Sequence, residues 1–179
     1  MERIAVLRYA KALFELAVER GEVELYNKAC TDILAVFEAD KDLLAVVNHL
    51  AIPADQKMQT MKAIFEGKIP EDFLGIFGLV FRRGRQRELS AILERFGQLY
   101  REHMRIATAK LYAAAELPQD KLNEISQVLG KKLEKTIEFE KVIDPSLIAG
   151  FRVEVDGFVF DASTKNQINV MKKQLLAAR

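Results

Sequence analysis

The sequence has few of the residues that build covalent or metal-bound frameworks: its 179 residues include one cysteine, two histidines and no tryptophan. A single thiol, Cys30, cannot form an intramolecular disulfide or a multi-thiolate zinc or iron-sulfur site, and this scarcity suggests a reducing compartment. Neither His49 nor His103 has a second ligand at the i+4 spacing of a helical metal clamp. We therefore expect no metal site, no cofactor, and stability that comes from packing.

Charge of one sign is also lacking. The 27 basic and 26 acidic residues leave a net charge of +1, so no overall field favours nucleic acid or acidic lipid. Long apolar runs are missing too, because none approaches the about 20 residues that span a bilayer. Residues 1–8 lack the features of a signal or transit peptide. We expect no nucleic-acid partner, and contact with a membrane only through other proteins.

The period of the apolar residues changes along the chain. Up to about Arg105 they recur every three or four residues, and beyond it they alternate with polar residues. This change predicts an α+β protein with a boundary between residues 1–105, a six-helix bundle, and residues 106–179, a small α/β domain. The predicted helices run from Ile4 to Arg20, Glu22 to Ala39, Asp42 to His49, Ala54 to Glu66, Pro70 to Arg83 and Arg87 to Arg105.

The positions of glycine and proline residues support these helix ends. Gly21, Gly67 and Gly84 follow periodic segments where a left-handed residue is expected, and Pro53 and Pro70 stand at helix starts. In the second part, strands are predicted at residues 107–113 and 136–143, with a helix opened by Pro118 between them. Two more strands, residues 151–155 and 158–160, flank Asp156-Gly157, a type I′ hairpin signal. Ser163 is predicted to cap a last helix through Leu176.

Candidate catalytic residues are sparse. Cys30 lies among apolar residues and is expected to be a small core residue. Asp144, Asp156 and Asp161 lie near strand ends, where an acid or base could be placed, but turns also use Asp for local hydrogen bonds. We expect the structural role. The alternative, a small enzyme, would depend on Asp144 or Asp161.

One basic cluster stands out, formed by Arg82, Arg83, Arg85 and Arg87. Cations near a helix C-terminus interact favourably with its dipole, and the cluster has no interleaved aromatic residues of the kind that bind single-stranded nucleic acid. We therefore prefer the interpretation that these arginines have a structural role. An RNA-binding or other helical adaptor that uses this cluster is kept as the alternative function.

The first helix carries more apolar surface than a surface helix needs. Its charged residues occupy one stripe and leave an apolar arc of roughly 240°. The centre of this arc is assigned to the core and comprises Ala10, Leu13, Phe14 and Ala17. A separate seam along its edge comprises Ala5, Tyr9, Ala12 and Leu16.

The helix after Pro70 shows the same excess. Phe73, Phe77, Val80 and Phe81 make one face, whereas Ile76, Leu79 and Arg83 lie to its side. If the two helices are neighbours, their seams form a groove for an amphipathic helix from a partner. The alternative is that both helices are fully buried within the bundle, since central helices are also broadly apolar.

Two motifs carry a family resemblance. Arg8-Tyr-Ala-Lys-Ala-Leu-Phe-Glu-Leu-Ala17 at the start, and Ile143-Asp-Pro-Ser-Leu-Ile-Ala-Gly150-Phe-Arg-Val153 followed by Asp161-Ala-Ser163, resemble the ATP synthase delta subunit family. Its mitochondrial relative is the oligomycin sensitivity conferring protein. The resemblance spans essentially the whole chain.

This resemblance implies a non-catalytic stator subunit of a rotary proton-translocating ATP synthase, which links the catalytic head to the b-subunit stalk. It implies that the N-terminal domain receives the N-terminal helix of an alpha subunit between its first and fifth helices. It also implies that the C-terminal domain binds the C-terminal end of the b subunit. We expect the protein at the cytoplasmic face of a bacterial cell membrane, as a peripheral protein.

The resemblance also indicates contact residues for the alpha subunit. Tyr9 and Ala12 match the family's first-helix motif, and Leu79 falls on the fifth helix before the Arg-Gly-Arg turn. The remaining contact residues are extended from helical periodicity and are Ala5, Leu16, Ile76 and Arg83.

Overall fold

Helical periodicity governs the first part of the chain. In the computed structural model, which describes residues 4–168, six α-helices precede the first strand. They are α1 (Ile4–Arg20), α2 (Val23–Ala39), α3 (Lys41–Asn48), α4 (Ala54–Phe65), α5 (Glu71–Arg82) and α6 (Leu89–His103).

The last of these helices is shorter than predicted. Residues Gln86–Glu88 wind as a tighter 3-10 turn, so that α6 begins at Leu89 and not at Arg87. At its other end, Arg105 has a φ of 52°, which lies in the left-handed region and cannot continue a helix. The other predicted helix ends agree with the structure to within one or two residues.

The predicted helix ends have the expected backbone. Gly21, Gly67 and Gly84 have φ values of 69°, 75° and 65°, which glycine adopts without a Cβ clash. Pro53 and Pro70 each stand immediately before the helix that follows. The glycine and proline signals are therefore confirmed.

Aromatic side chains fill the core of the helical part. The ring of Tyr26 lies 5.4 Å from that of Phe73 between centroids, and the ring of Phe14 lies 5.6 Å from that of Phe96. Tyr26, Phe73 and Phe96 are fully buried. Burial of each such side chain contributes about 1.5–3 kcal/mol to stability, so these rings fix α2, α5 and α6 in one core.

The second part of the chain builds a mixed four-stranded sheet. Its elements are β1 (Ile106–Ala113), α7 (Gln119–Leu133), β2 (Thr136–Ile143), a 3-10 turn (Pro145–Leu147), β3 (Phe151–Val155) and β4 (Phe158–Asp161). The strand order is β2-β1-β3-β4. β1 and β2 are parallel and are joined through α7, whereas the other pairs are antiparallel. Leu122 and Leu129 of α7 share a core with alternate residues of the strands.

These two cores belong to two units, Met1–Arg101 and Glu102–Arg179. The fold class is α+β, as predicted. The division lies in the last turn of α6, a few residues before the predicted boundary at 105.

The hairpin prediction is confirmed. Val155 pairs with Phe158, so that the loop has two residues, and Asp156 and Gly157 both have positive φ, at 49° and 80°. After β4, the Ser163 hydroxyl accepts a hydrogen bond of 3.2 Å from the main-chain N–H of Asn166, as a helix cap does. Residues 164–168 are helical, and the rest of the helix predicted through Leu176 lies outside the described residues.

Gly150, just before β3, allows the chain to pass close to Ala162, just after β4, and this close approach can be tested. It has a φ of 82°, and an added Cβ would clash with the carbonyl oxygen of Ala162. We expect Gly150→Ala to lower the free energy of unfolding by at least about 3 kcal/mol. In Gly157→Ala, where an added Cβ meets nothing within 4 Å, only the positive φ remains, and the expected loss is about 1 kcal/mol.

Urea denaturation of the full chain measures both losses, and hydrogen exchange of the β3 amides assigns them to the second unit. Equal losses in the two variants would contradict a close approach at Gly150.

Candidate partner-binding surface

The central stripe of α1 faces the core. Ala10, Leu13 and Ala17 are fully buried, as their positions in the apolar arc predict. Phe14, which was assigned to the same stripe, is only half-buried and packs at its edge. The core thus covers the middle of the arc and leaves its flanks partly uncovered.

The predicted seam on α1 is graded from buried to exposed. Ala5 and Tyr9 are buried, with 8% and 6% of their surfaces exposed, Leu16 is half-buried and Ala12 is exposed. Complete burial, the alternative to a seam, therefore fails for Ala12 and Leu16. Ala5 and Tyr9 lie deeper than a surface seam requires and form its floor.

The predicted seam on α5 shows a similar gradient. Ile76 is half-buried against the core, Leu79 is 40% exposed and Arg83 is exposed. The predicted core face is buried, and comprises Phe73, Phe77, Val80 and Phe81. α1 packs against α5. The two sets of seam residues thus lie on neighbouring helices, and we call them together the α1–α5 seam.

A polar cluster joins the two helices at one end of the seam. Arg20, the last residue of α1, donates a hydrogen bond of 2.9 Å from Nη2 to Oδ1 of Asp72, in the first turn of α5. The buried hydroxyl of Tyr26 in α2 donates to the other oxygen, Oδ2. One carboxylate therefore holds three helices. Sequence reasoning missed this cluster, since its members are 46 and 52 residues apart and no local pattern links them.

The cluster orders the seam residues along the two helices. With a rise of 1.5 Å per residue, Leu16 and Ile76 each lie about 6 Å along their helices from the Arg20–Asp72 pair. Ala12 and Leu79 follow at about 11–12 Å, and Tyr9 and Arg83 at about 16 Å. These distances place each residue along its own helix relative to the Arg20–Asp72 pair.

A second apolar stripe on α1 was not distinguished by the sequence. Leu7 and Val18 are exposed on the other flank of the buried stripe, and Ile4, 87% exposed, lies near them. The signal was present in the wide apolar arc. Periodicity alone could not divide that arc into covered and uncovered parts.

The candidate catalytic carboxylates accept hydrogen bonds within turns. Asp144 accepts from the main-chain N–H of Ser146 at 3.0 Å, and Asp161 from that of Ser163 at 2.9 Å. Hydrogen bonding to Ser146 lowers the pKa of Asp144, and hydrogen bonding to Ser163 lowers the pKa of Asp161. Both carboxylates are therefore held ionised, whereas a general acid near neutral pH needs a raised pKa. Among residues 4–168, no three potential metal ligands come together.

The basic cluster lies at the C-terminal end of α5. Arg82, Arg83 and Arg87 are exposed, while Nη1 of Arg85 lies 3.7 Å from a carboxylate oxygen of Glu88. The positions near the end of α5 suit interaction with its dipole, as the structural reading expected.

Each unit also has a cleft. In the first unit, a cleft of about 570 Å³ lies between α4 and α5 and is lined by Met58, Leu74 and charged residues. In the second unit, a more apolar cleft of about 470 Å³ lies between α7 and the β3–β4 hairpin, with Val128 and Phe160 in its wall. Within residues 4–168, every helix is too short or too polar to span a bilayer.

The fold is that of a two-unit α+β protein, in which an all-helical unit is followed by a small unit built on a mixed sheet. Comparison with known proteins narrows this class. A family model described as ATP synthase delta (OSCP) subunit matches residues 6–175. The chain belongs to this family.

Individual relatives agree. The ATP synthase subunit delta of Clostridium kluyveri is 31% identical over 169 residues, which cover 94% of this chain and 93% of that protein. The subunit of Clostridium beijerinckii is 30% identical over 176 residues, 98% of each chain. A chain in the cryo-EM structure of the Toxoplasma gondii mitochondrial ATP synthase hexamer has the same fold, with a TM-score of 0.68 over 97% of this chain and 98% of that chain, at 16% identity.

The resemblance inferred from the two sequence motifs is therefore confirmed. The family is a non-catalytic subunit of an enzyme complex and a peripheral part of a membrane-bound assembly. A stator role fits this membership, and the alternative of an RNA-binding adaptor is not favoured.

The raised pKa of Tyr26 predicts that the protein loses stability at alkaline pH. Burial, together with its hydrogen bond to Asp72, raises the pKa of Tyr26 from its ordinary value of 10.0 to about 12. Because the protonated hydroxyl is favoured in the folded state, its contribution is complete below pH 10 and is lost as the pH rises through about 12. We expect the free energy of unfolding to fall over this window, as measured by urea denaturation.

Tyr26→Phe is the matched variant, because it keeps the ring and removes the hydroxyl. It should cost about 1.5–3 kcal/mol at pH 7 and show a shallower decline between pH 10 and 12. The same decline in both proteins would assign it to other groups.

The burial of Cys30 predicts that its thiol reacts slowly in the folded protein. The side chain is buried in the core, and this burial raises the pKa of the thiol. Since the thiolate is the reactive form, Cys30 should react with an aromatic disulfide reagent at pH 8 only as fast as the first unit unfolds. A cysteine placed at exposed Ala12 should react at once. Equally rapid modification of Cys30 in the folded protein would contradict its burial.

Proposed function

We propose that this protein is the stator subunit that joins the catalytic head of a proton-translocating ATP synthase to its peripheral stalk. Residues 1–105 act as a six-helix bundle that binds the N-terminal helix of an alpha subunit in the α1–α5 seam. Residues 106–179 bind the C-terminal end of the b subunit. The protein works at the cytoplasmic face of a bacterial cell membrane, attached only through the complex.

The observation that carries this proposal is the packing of α1 against α5 with apolar residues left over on both. Leu16 and Ile76 are half-buried at the inner end of the seam, and Ala12 and Leu79 are exposed further along. Ala5 and Tyr9 form the floor. An amphipathic helix places apolar side chains at i, i+3, i+4 and i+7, a spacing that suits residues arranged in successive steps along two helices.

The residue types suit a bound helix. Ala12 has a small side chain and lets a second helix axis approach closely, while Leu79 offers a branched, exposed apolar contact on α5. Arg83 lies at the end of the seam far from Asp72, where its guanidinium is free to meet a polar or acidic group of the partner. Shape and burial thus supply the affinity, and charge helps to fix the register.

The second unit offers a separate surface for the stalk. Its cleft between α7 and the β3–β4 hairpin is mostly apolar, and Val128 and Phe158 beside it are exposed. We place the b-subunit contact there, because a helix from the stalk would cover these side chains.

Two attachments suit the mechanical task. Rotation of the central shaft exerts a reaction torque on the head, and a stator has to resist it without dissociating. An interface that buries about 800 Å² on each partner reaches nanomolar affinity when its central contacts are well packed. A second interface on the same chain raises the overall affinity further through the high effective concentration of the tethered site.

Ala12→Asp tests the seam. The variant places an unpaired carboxylate where an apolar helix should lie, and we expect it to weaken binding of the cognate alpha-subunit N-terminal peptide by at least about 2 kcal/mol. Calorimetric titration of the full chain measures this loss. Ala45→Asp, which makes the same change at an exposed position of α3, is the control and should bind like the unaltered protein.

Circular dichroism and thermal unfolding establish that both variants fold. Unchanged affinity in Ala12→Asp would remove Ala12 from the contact surface. Saturable binding of RNA that weakens steeply with salt and depends on Arg82 to Arg87 would favour the adaptor alternative instead.

A further inference from the structure

The carboxylate of Asp72 lies where three helices of the first unit meet. It accepts from the guanidinium of Arg20 at the end of α1 and from the hydroxyl of Tyr26 in α2, while its own backbone belongs to the first turn of α5. Tyr26 is fully buried and Asp72 is mostly covered. This arrangement is polar and directional, in contrast to the side chains that follow it along the seam.

The buried apolar residues of α1 and α5 pack in one core and bring the two helices together, but apolar contacts give little directional restraint beside that core. Along the seam, Ala12 and Leu79 are exposed and Leu16 and Ile76 are half-buried, so their dispersion contacts change less steeply with helix spacing than a hydrogen bond does. Hydrogen bonds to a carboxylate lose strength within a few tenths of an ångström and are stronger when one member is ionised. The cluster at Asp72 is therefore the part of the seam best able to set its geometry.

The two hydrogen bonds contribute unequally. Arg20 is half exposed, so its ion pair is weakened by solvent and salt. The hydroxyl of Tyr26 has no access to water, so losing its acceptor would leave a buried donor unsatisfied. Asp72 is consequently held in place mainly by Tyr26, and it holds the end of α1 through Arg20.

We propose that Asp72 is a positioning residue for the α1–α5 seam: it fixes the C-terminal end of α1 to the N-terminal end of α5 and so sets the separation at which a partner helix enters. Asp72 itself need not touch the partner. The use of the seam rests on the function proposed above, whereas the positioning of α1 does not.

The separation of the helices can be measured without a partner. Spin labels at Lys11→Cys on α1 and Arg82→Cys on α5, both exposed positions outside the seam, report it by pulsed dipolar spectroscopy in a Cys30→Ser background. Asp72→Ala should broaden and lengthen the distance distribution. Asp72→Asn keeps an acceptor oxygen and should give an intermediate result.

Glu71→Ala is the matched control. It removes an exposed carboxylate from the same first turn of α5 and hence the same favourable interaction with the helix dipole. It should leave the distance distribution unchanged. Tyr26→Phe is a second route to the same loss, because it keeps the buried ring, and it should reproduce part of the broadening if Asp72→Ala does not fold.

Binding of the alpha-subunit peptide to the full chain is measured on the same variants without labels, well below their unfolding temperatures. We expect Asp72→Ala to weaken it about fivefold or more and Glu71→Ala to leave it unchanged. A lower unfolding temperature with an unaltered distance distribution and unaltered affinity would show a merely structural role and overturn the proposal. If the unaltered chain binds no peptide, the function proposed for the seam fails, and the distances alone decide the role of Asp72.

Discussion

The surface proposed to bind a partner in the first unit is set by how α1 packs against α5. The apolar arc of α1 is wider than one core can cover, so the helix buries Ala10, Leu13 and Ala17 and leaves apolar residues on both flanks. On one flank, Ala5 and Tyr9 are buried whereas Ala12 is exposed. A folded unit that leaves such a seam has apolar surface still to bury, and a helix from another protein can cover it at little cost in conformational entropy because both walls are already ordered.

Much of the fold could be predicted from the sequence because it is encoded locally. Gly21, Gly67 and Gly84 mark helix ends through their backbone preference, and Asp156-Gly157 specifies its turn through positive φ. The degree of burial could not be predicted in the same way. Tyr9 and Ala12 belong to one apolar arc, yet only Tyr9 is buried, because the packing of neighbouring elements decides which part of the arc is covered. Asp72, in contact with residues far away in the sequence, carried no local signal at all.

The electrostatic character of the chain fits an attachment role. Its charges nearly balance, and the acidic residues at strand ends serve turns, as Asp144 and Asp161 show. The described surface also carries uncovered apolar area, which includes the α1–α5 seam in the first unit and the cleft beside α7 in the second. The chain belongs to the ATP synthase delta (OSCP) family, and in the function proposed above these two areas are the two attachments of a stator.

The most direct test of the seam is photo-crosslinking in the assembled ATP synthase. A photoreactive phenylalanine analogue placed at Leu79 should crosslink to the alpha subunit, within residues of its N-terminal segment identified by mass spectrometry. The same analogue at Val46, an exposed apolar position on α3, should give no such product. Crosslinking from Val46 and none from Leu79, in a complex shown to be intact, would contradict the account, because the head would then be held by another face of the first unit.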